Sequence, residues 1–302
     1  MRALALLAAA ACAAAQTYPV TQGKTYKFEK IADGIYYATG GGGSNNVVVV
    51  NDADVLLVDD GTTPTAARAF IADVKTLTSK PIRYVVNTHF HYDHTDGNSV
   101  FPPDVDIIGH EFVRHAILDF DVLHREPFIT SQARMPAAER DTIKPTPPNV
   151  TYSSKMILNK GPREIQLLFL GRGHTAGDTV VFLPRERIVA TGDLMESRLA
   201  YMGDAYFDEW VTTLENLKKL DFATVLPGHG APFSDKGLIT AFQAYLSDLV
   251  KQGTALKKQG VSADDAAKRV DLTAHAKAFP QIQGPGADIR GMRRLYTWLD
   301  EK

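Results

Sequence analysis

The run Asn87-Thr88-His89-Phe90-His91-Tyr92-Asp93-His94-Thr95-Asp96-Gly97-Asn98 constrains this chain more than any other stretch. Three histidines and an aspartate fall within six residues, straight after Tyr84-Val85-Val86, an apolar run that reads as a buried strand. Side chains alternate on an extended backbone, so His89 and His91 point to one side. A carboxylate and a third imidazole follow at once. Neutral imidazole and carboxylate are the donors zinc or iron takes when no thiolate is at hand. With nine histidines in 302 residues, chance is a poor explanation for so dense a cluster, and the run is read as a metal site.

Three later segments extend the pattern: Gly173-His174-Thr175-Ala176-Gly177-Asp178, then Ile188-Val189-Ala190-Thr191-Gly192-Asp193, then Pro227-Gly228-His229-Gly230. With the His-x-His-x-Asp-His run, and in this order over residues 26 to 235, they resemble the metallo-β-lactamase superfamily. The resemblance implies an α/β fold, a four-layer αββα sandwich with metals at one edge of its two sheets. It implies one metal on His89, His91 and His174, a second on Asp93, His94 and His229, and Asp193 bridging the two. Val58-Asp59-Asp60-Gly61 looks like the family's strand-end Asp-x-Gly motif, in which the first aspartate accepts an imidazole N–H; Asp59 takes that role. Asp93 has two candidate jobs, ligand and orienter of the attacking hydroxide, and is the candidate catalytic residue. The implied cofactors are two Zn2+, with Fe or Mn as alternatives because every ligand is an N or O donor. Flavo-diiron oxidases carry Glu where this chain has His91, which disfavours that branch.

Met1-Arg2, an apolar core Ala3-Leu4-Ala5-Leu6-Leu7 and an alanine run to Ala15 read as a secretory signal peptide, cleaved between Ala15 and Gln16. The segment is too short to span a membrane. Cys12 is the sole cysteine; a lipoprotein reading through it meets Ala9 where leucine is usual. The mature chain is thus expected to lack disulfides and thiolate ligands and to be periplasmic or secreted. The formal net charge of −2, with no basic run, gives no sign of a nucleic-acid partner, and no later apolar stretch is long enough for a bilayer.

Short strands are expected at Ile35–Tyr37, Asn46–Val50 and Val55–Val58, with Gly40 to Gly43 as a hairpin connection: no Gly-Lys-Ser/Thr follows it. Thr63-Pro64 opens a helix expected to reach Leu77. A further helix is expected from Glu111 to Leu123, and residues 120 to 150 are expected to border the active-site mouth, because long ordered loops are often binding loops. After His229, segments 236–259, 263–270 and 288–299 show apolar spacing of three and four, the pattern of amphipathic helices. The expected division is a signal peptide over 1–15, a metallo-β-lactamase-like domain over 16–235, and a C-terminal helical extension over 236–302 packed on that domain. His110, His115, His124 and His275 match no family motif and are read as structural or solvent-exposed.

Two divalent ions, two aspartates and a hydroxide carry a formal charge of about +1, which suits anionic or carbonyl-rich small-molecule substrates. In the implied mechanism the hydroxide attacks a carbonyl carbon or a phosphorus. Cysteine-containing β-lactamases carry a lysine three residues after the Asp193 position to grip a substrate carboxylate. Glu196 stands there and is expected to repel one, leaving Arg198 and Tyr201 as candidate substrate contacts. Glyoxalase II has a glutathione-binding C-terminal extension, but no thiol-substrate motif is visible here. The reading is a metal-dependent hydrolase acting on a small amide, lactam, lactone or ester. Its alternatives are a phosphodiesterase or sulfatase of the same fold, and a non-catalytic metal-binding accessory of a periplasmic quinoprotein redox system. The oligomeric state is not legible.

Overall fold

Near-continuous runs of Val, Ile and Leu belong to strands covered on both faces. In the computed structural model, which describes residues 18–120 and 137–302, Asn46–Val50 and Val55–Val58 are such strands. The expected signal peptide, Cys12, His124 and residues 121–136 of the expected mouth loop lie outside the described residues. Eight strands form one sheet in sequence order: β1 (Val20–Gln22), β2 (Lys27–Ala32), β3 (Ile35–Thr39), β4 (Asn46–Val50), β5 (Val55–Val58), β6 (Ile82–Val86), β7 (Asp106–His110) and β8 (Val150–Tyr152). Neighbours are antiparallel as far as β5 and parallel from β5 to β8. The second sheet holds β9 (Lys155–Lys160), β10 (Arg163–Phe169), β11 (Thr179–Leu183), β12 (Ile188–Gly192) and β13 (Thr224–Pro227). Its pairs are antiparallel except β12 with β13. The helices used below are α1 (Pro64–Val74), α2 (Tyr92–Thr95), α3 (Glu111–His115), α4 (Phe207–Lys218), α5 (Lys236–Lys258), α6 (Ala263–Arg269) and α7 (Ile289–Asp300).

Period-two alternation sorts the side chains into layers. Val47, Val49, Leu56 and Val58 meet Ile165, Leu167, Val181 and Ala190 of the other sheet. Val48, Val55 and Leu57, on the opposite face, pack under Phe70 and Val74 of α1. The outer face of the second sheet offers Leu168, Val180, Val189 and Val225 to α4, α5 and α7, which bury Trp210, Leu214, Phe242, Leu246, Met292 and Leu295 there. The order helix, sheet, sheet, helix is the expected αββα sandwich. No helix among the described residues is long and apolar enough to cross a membrane.

One helix ends earlier than its sequence pattern suggests. α1 starts as expected, with Thr63 Oγ1 accepting from Ala66 N at 3.1 Å, but stops at Val74. There the Thr76 hydroxyl donates to the Asp73 carbonyl at 2.6 Å, a local bond that competes with continuing the helix. The Asp73 carboxylate, turned the other way, accepts from the backbone N–H groups of Lys24, Thr25 and Tyr26 at 2.7–2.9 Å and pins the entry to β2. The helix expected from Glu111 to Leu123 is in α-form over Glu111–His115 and continues as a wider π-helix over Ala116–Phe120; residues 121–123 lie outside the described residues.

Candidate metal centre

The ligand candidates sit beyond the C-terminal ends of strands: His89, His91, Asp93 and His94 after β6, His174 after β10, Asp193 after β12 and His229 after β13, with Asp59 after β5. The first run is two geometries in series. The strand ends at Val86 and the chain bends over residues 88–90; His91, with ψ 144°, then caps α2, and Asp93 and His94 lie on that single helical turn. His89 and His91 do meet as expected, but across this bend and not by the alternation of an extended strand.

Two groups result. His91 Nδ1 lies 2.9 Å from His89 Nε2 and 3.1 Å from His174 Nε2, and Asp193 Oδ2 stands 3.9 Å and 3.7 Å from those two Nε2 atoms. Across the site, Asp93 Oδ2 lies 3.1 Å from His229 Nε2 and 3.7 Å from His94 Nε2. Asp193 faces this group too, with Oδ1 3.4 Å from His94 Nε2 and Oδ2 3.4 Å from His229 Nε2. His89, His91, His174 and Asp193 form one set of donor atoms within 4.8 Å of one another, and Asp93, His94 and His229 form another.

The hydrogen bonds around the rings decide which nitrogens carry protons. Thr88 Oγ1 donates to Asp59 Oδ2 at 2.8 Å, so its contact with His89 Nδ1 at 3.0 Å is one in which the imidazole N–H donates. His94 Nδ1–H donates to Asp59 Oδ2 at 2.7 Å, and His91 Nε2–H donates to Asp204 Oδ2 at 2.9 Å. In the neutral rings the opposite nitrogens, His89 Nε2, His91 Nδ1 and His94 Nε2, are then bare lone pairs turned inward. Lone pairs facing each other at about 3 Å repel unless a cation lies among them. His94 Nε2 and Asp193 Oδ1 are also buried with no hydrogen-bond partner, an arrangement that asks for an explanation. These residues fit divalent metal ions.

The metallo-beta-lactamase superfamily model matches residues 39–229, a span that holds all seven ligand candidates and Asp59. The chain belongs to the metallo-beta-lactamase superfamily. It is 27% identical over 183 residues to the alpha subunit of 2,4-dinitroanisole O-demethylase from a Nocardioides species, covering 59% of this chain and 50% of that one. It is 39% identical over 88 residues to a type 2 metallo-beta-lactamase from a Bacillus species, covering 27% and 34%. The chain thus spans half or less of these relatives' length. Among solved structures it resembles the stereoselective inverting sec-alkylsulfatase Pisa1 from a Pseudomonas species, with a TM-score of 0.72 and 15% identity over 89% of this chain and 49% of that one.

Electrostatics divide the superfamily site. Burial drives His174 down to about 3, helped by His91, and burial with the charges of His94 and His91 holds His89 well below its ordinary value. Burial also opposes charge on His229, but Asp193 and Asp93 outweigh it and raise that imidazole to about 10; His94 is raised for the same reason. The carboxylates call for positive charge, which a divalent ion supplies at the cost of displacing protons. His94 and His229 hold protons most strongly, whereas in the other group only His91 is raised, by Asp204 against the effect of burial. Acidification should therefore empty the Asp93/His94/His229 group first. Zinc titrations against a chromophoric chelator should find two ions near pH 8 and one near pH 5.5. Loss of both ions together would contradict this division.

Several residues that matter here carry no metal-ligand pattern in the sequence. Thr88 links Asp59 to His89, and Asp204, 113 positions from His91, fixes that ring. Trp210 donates Nε1–H to Leu194 O at 2.8 Å and packs its ring 5.5 Å from His174. Tyr37 OH lies 2.8 Å from the carbonyls of both Pro227 and Gly230, holding the turn that carries His229. Gly228 is required by close approach, since a Cβ there would collide with Asp193 Oδ1 and His94.

The two candidate substrate contacts separate. Tyr201 lies at the site, its ring 5.6 Å from His91, whereas Arg198 pairs with Glu196 at 2.9 Å. Glu196 departs from expectation. It is 2% exposed, and burial with the nearby Asp193 charge pushes its carboxyl well above the ordinary range, so it does not present the repelling surface charge expected of it. Of the unmatched histidines, His110 meets Ser153 O at 3.0 Å, His115 pairs with Asp119, and His275 pairs with Asp248.

Proposed function

We propose that this protein is an exported dinuclear zinc hydrolase that acts on a small amide, lactam, lactone or ester. The observation that carries the reading is Asp193: one carboxylate stands within 3.4–3.9 Å of imidazoles from both ligand groups, the position of a bridge between two ions. Two bound divalent ions would supply Lewis acidity toward a scissile carbonyl and lower the pKa of water toward neutrality. The protein's own residues do the rest. Asp59 and Thr88 hold His94 and His89 in the ligating tautomer, and Asp204 does the same for His91. Asp93 is the more open carboxylate, 15% exposed against 6% for Asp193, which suits it to orient water and to accept and pass on a proton. Its main-chain carbonyl accepts from Ser44 Oγ at 2.6 Å, which braces it. The leader-like residues 1–15 support export.

Cleavage of sulfate esters or phosphodiesters is the second reading, favoured by the burial of Glu196 where cysteine-containing lactamases keep a carboxylate-gripping lysine. Zinc-loaded protein should be assayed with a chromogenic cephalosporin, a chromogenic lactone, bis-nitrophenyl phosphate and nitrophenyl sulfate. The proposal expects kcat/KM for the lactam or lactone to exceed that for the phosphodiester and sulfate by at least about 100-fold, a gap of roughly 2.7 kcal/mol in barrier. The reverse order would establish the second reading. Two tightly held zinc ions with no turnover of any of the four would favour the accessory-protein alternative.

A further inference from the structure

The last helix brings a charged side chain to the edge of the metal centre. Asp288 caps α7, accepting from Arg290 N at 2.8 Å, and the same carboxylate takes Arg290 Nε–H at 3.1 Å and Nη2–H at 2.7 Å. The guanidinium lies over the Tyr201 ring, 4.7 Å from its centroid. Tyr201 in turn meets His91 edge-on at 5.6 Å and lies 6.4 Å from His174, so one aromatic ring separates Arg290 from two ligand imidazoles.

The contact is tightly built. A Cβ on Gly203 would collide with the Tyr201 hydroxyl, and one on Gly291 would stand 3.1 Å from Met202 Cβ. Arg294, one turn further along α7, donates Nε–H to Ala205 O at 3.0 Å. Arg290 is thus held by a carboxylate along one edge and a ring across one face, yet its side chain remains 57% exposed. No bond from Nη1 to another described residue is present. A flexible surface arginine loses side-chain entropy when it grips a ligand; one already fixed in this way loses much less.

We propose that Arg290 is a specificity-determining residue of this site, its Nη1 edge receiving a carboxylate that the substrate carries away from the scissile bond. This rests on the hydrolase reading and narrows it to small anionic acyl compounds. A fixed guanidinium edge matches the planar geometry of a carboxylate, and the cationic metal centre beside it favours the same sign of charge.

The test uses the zinc-loaded full chain as wild type, Arg290→Gln and Arg290→Lys. In calorimetric titration with succinate, Arg290→Gln should bind about 10-fold more weakly than wild type, and Arg290→Lys should fall between, keeping the charge but losing the fork. The melting temperatures should agree within about 2 °C, since the pair with Asp288 is exposed. With a carboxylate-bearing chromogenic cephalosporin, kcat/KM of Arg290→Gln should drop about 10-fold through KM, while neutral nitrophenyl acetate is turned over as by wild type. Absent or equal succinate binding, or an equal drop on both substrates, overturns the proposal. If the wild type hydrolyses neither compound, the hydrolase reading fails by itself, and the succinate comparison still decides the role of Arg290.

Discussion

Replacing Asp193 by alanine is expected to lower turnover by at least about 10^3-fold, the scale of losing a principal electrostatic element of an active site. Asp193 stands between both groups of imidazoles, and its pKa is held well below the ordinary value, against burial, by His94 and His229. Removing it takes a donor from each group and leaves four neighbouring imidazoles with one fewer negative charge among them. Both ions should be held more weakly, with at least one absent after dialysis. The fold should survive, because Asp193 follows β12 and lies outside the apolar clusters. A melting temperature of the metal-free variant equal to or above that of metal-free wild type, with turnover gone, is the expected pair of results. Retained turnover would mean that the carboxylate is not a bridge.

Asp59→Ala should have the largest effect on stability and metal retention together. Asp59 accepts from Thr88 N, Thr88 Oγ1 and His94 Nδ1 at 2.7–2.8 Å, at 1% exposure. Alanine leaves three buried donors unmatched, each costing about 1–3 kcal/mol before relaxation. The backbone adds to this: Asp59 sits at φ 59°, a left-handed conformation that aspartate and asparagine tolerate better than alanine. A net loss of about 3–5 kcal/mol is expected, with zinc affinity reduced about 10–100-fold, the usual scale for a lost partner of a ligating imidazole. Asp59→Asn separates the two effects. It keeps the backbone preference and one acceptor oxygen, so most stability should return. Its amide must turn an N–H toward either Thr88 or His94, so the ligating tautomer is no longer enforced and zinc affinity should stay low. Chemical denaturation with chelator and with zinc measures both. Equal zinc affinity in Asp59→Asn and wild type would show that Asp59 supports only the fold.

How much of this was legible depends on how local each determinant is. His89, His91 and His94 announce themselves because one short run holds them. His174, Asp193 and His229 become legible only when their motifs are taken together in order, since a lone histidine between glycines says little. The strands Asn46–Val50 and Val55–Val58 can be read directly, whereas the four-layer sandwich was legible only through the family resemblance, because which face of a strand meets which layer is not written in a local run. Asp204 was not legible, since its partnership with His91 depends on how a turn 113 positions away is folded over the site. Glu196 misled for a related reason. An acid at that position was expected to repel a substrate carboxylate, and only the packing around it shows that it is buried. The early end of α1 turned on one side-chain bond, from Thr76 to the carbonyl of Asp73, which propensity alone does not weigh.

The central claim is that two ions share Asp193. Purified full-length protein, loaded with excess zinc at pH 8 and freed of unbound metal, should be measured by elemental analysis together with native mass spectrometry, beside Asp193→Ala treated identically. Two zinc ions per wild-type chain and no more than one in the variant is the predicted result. One ion or none in folded wild-type protein, or two in both proteins, would contradict the account.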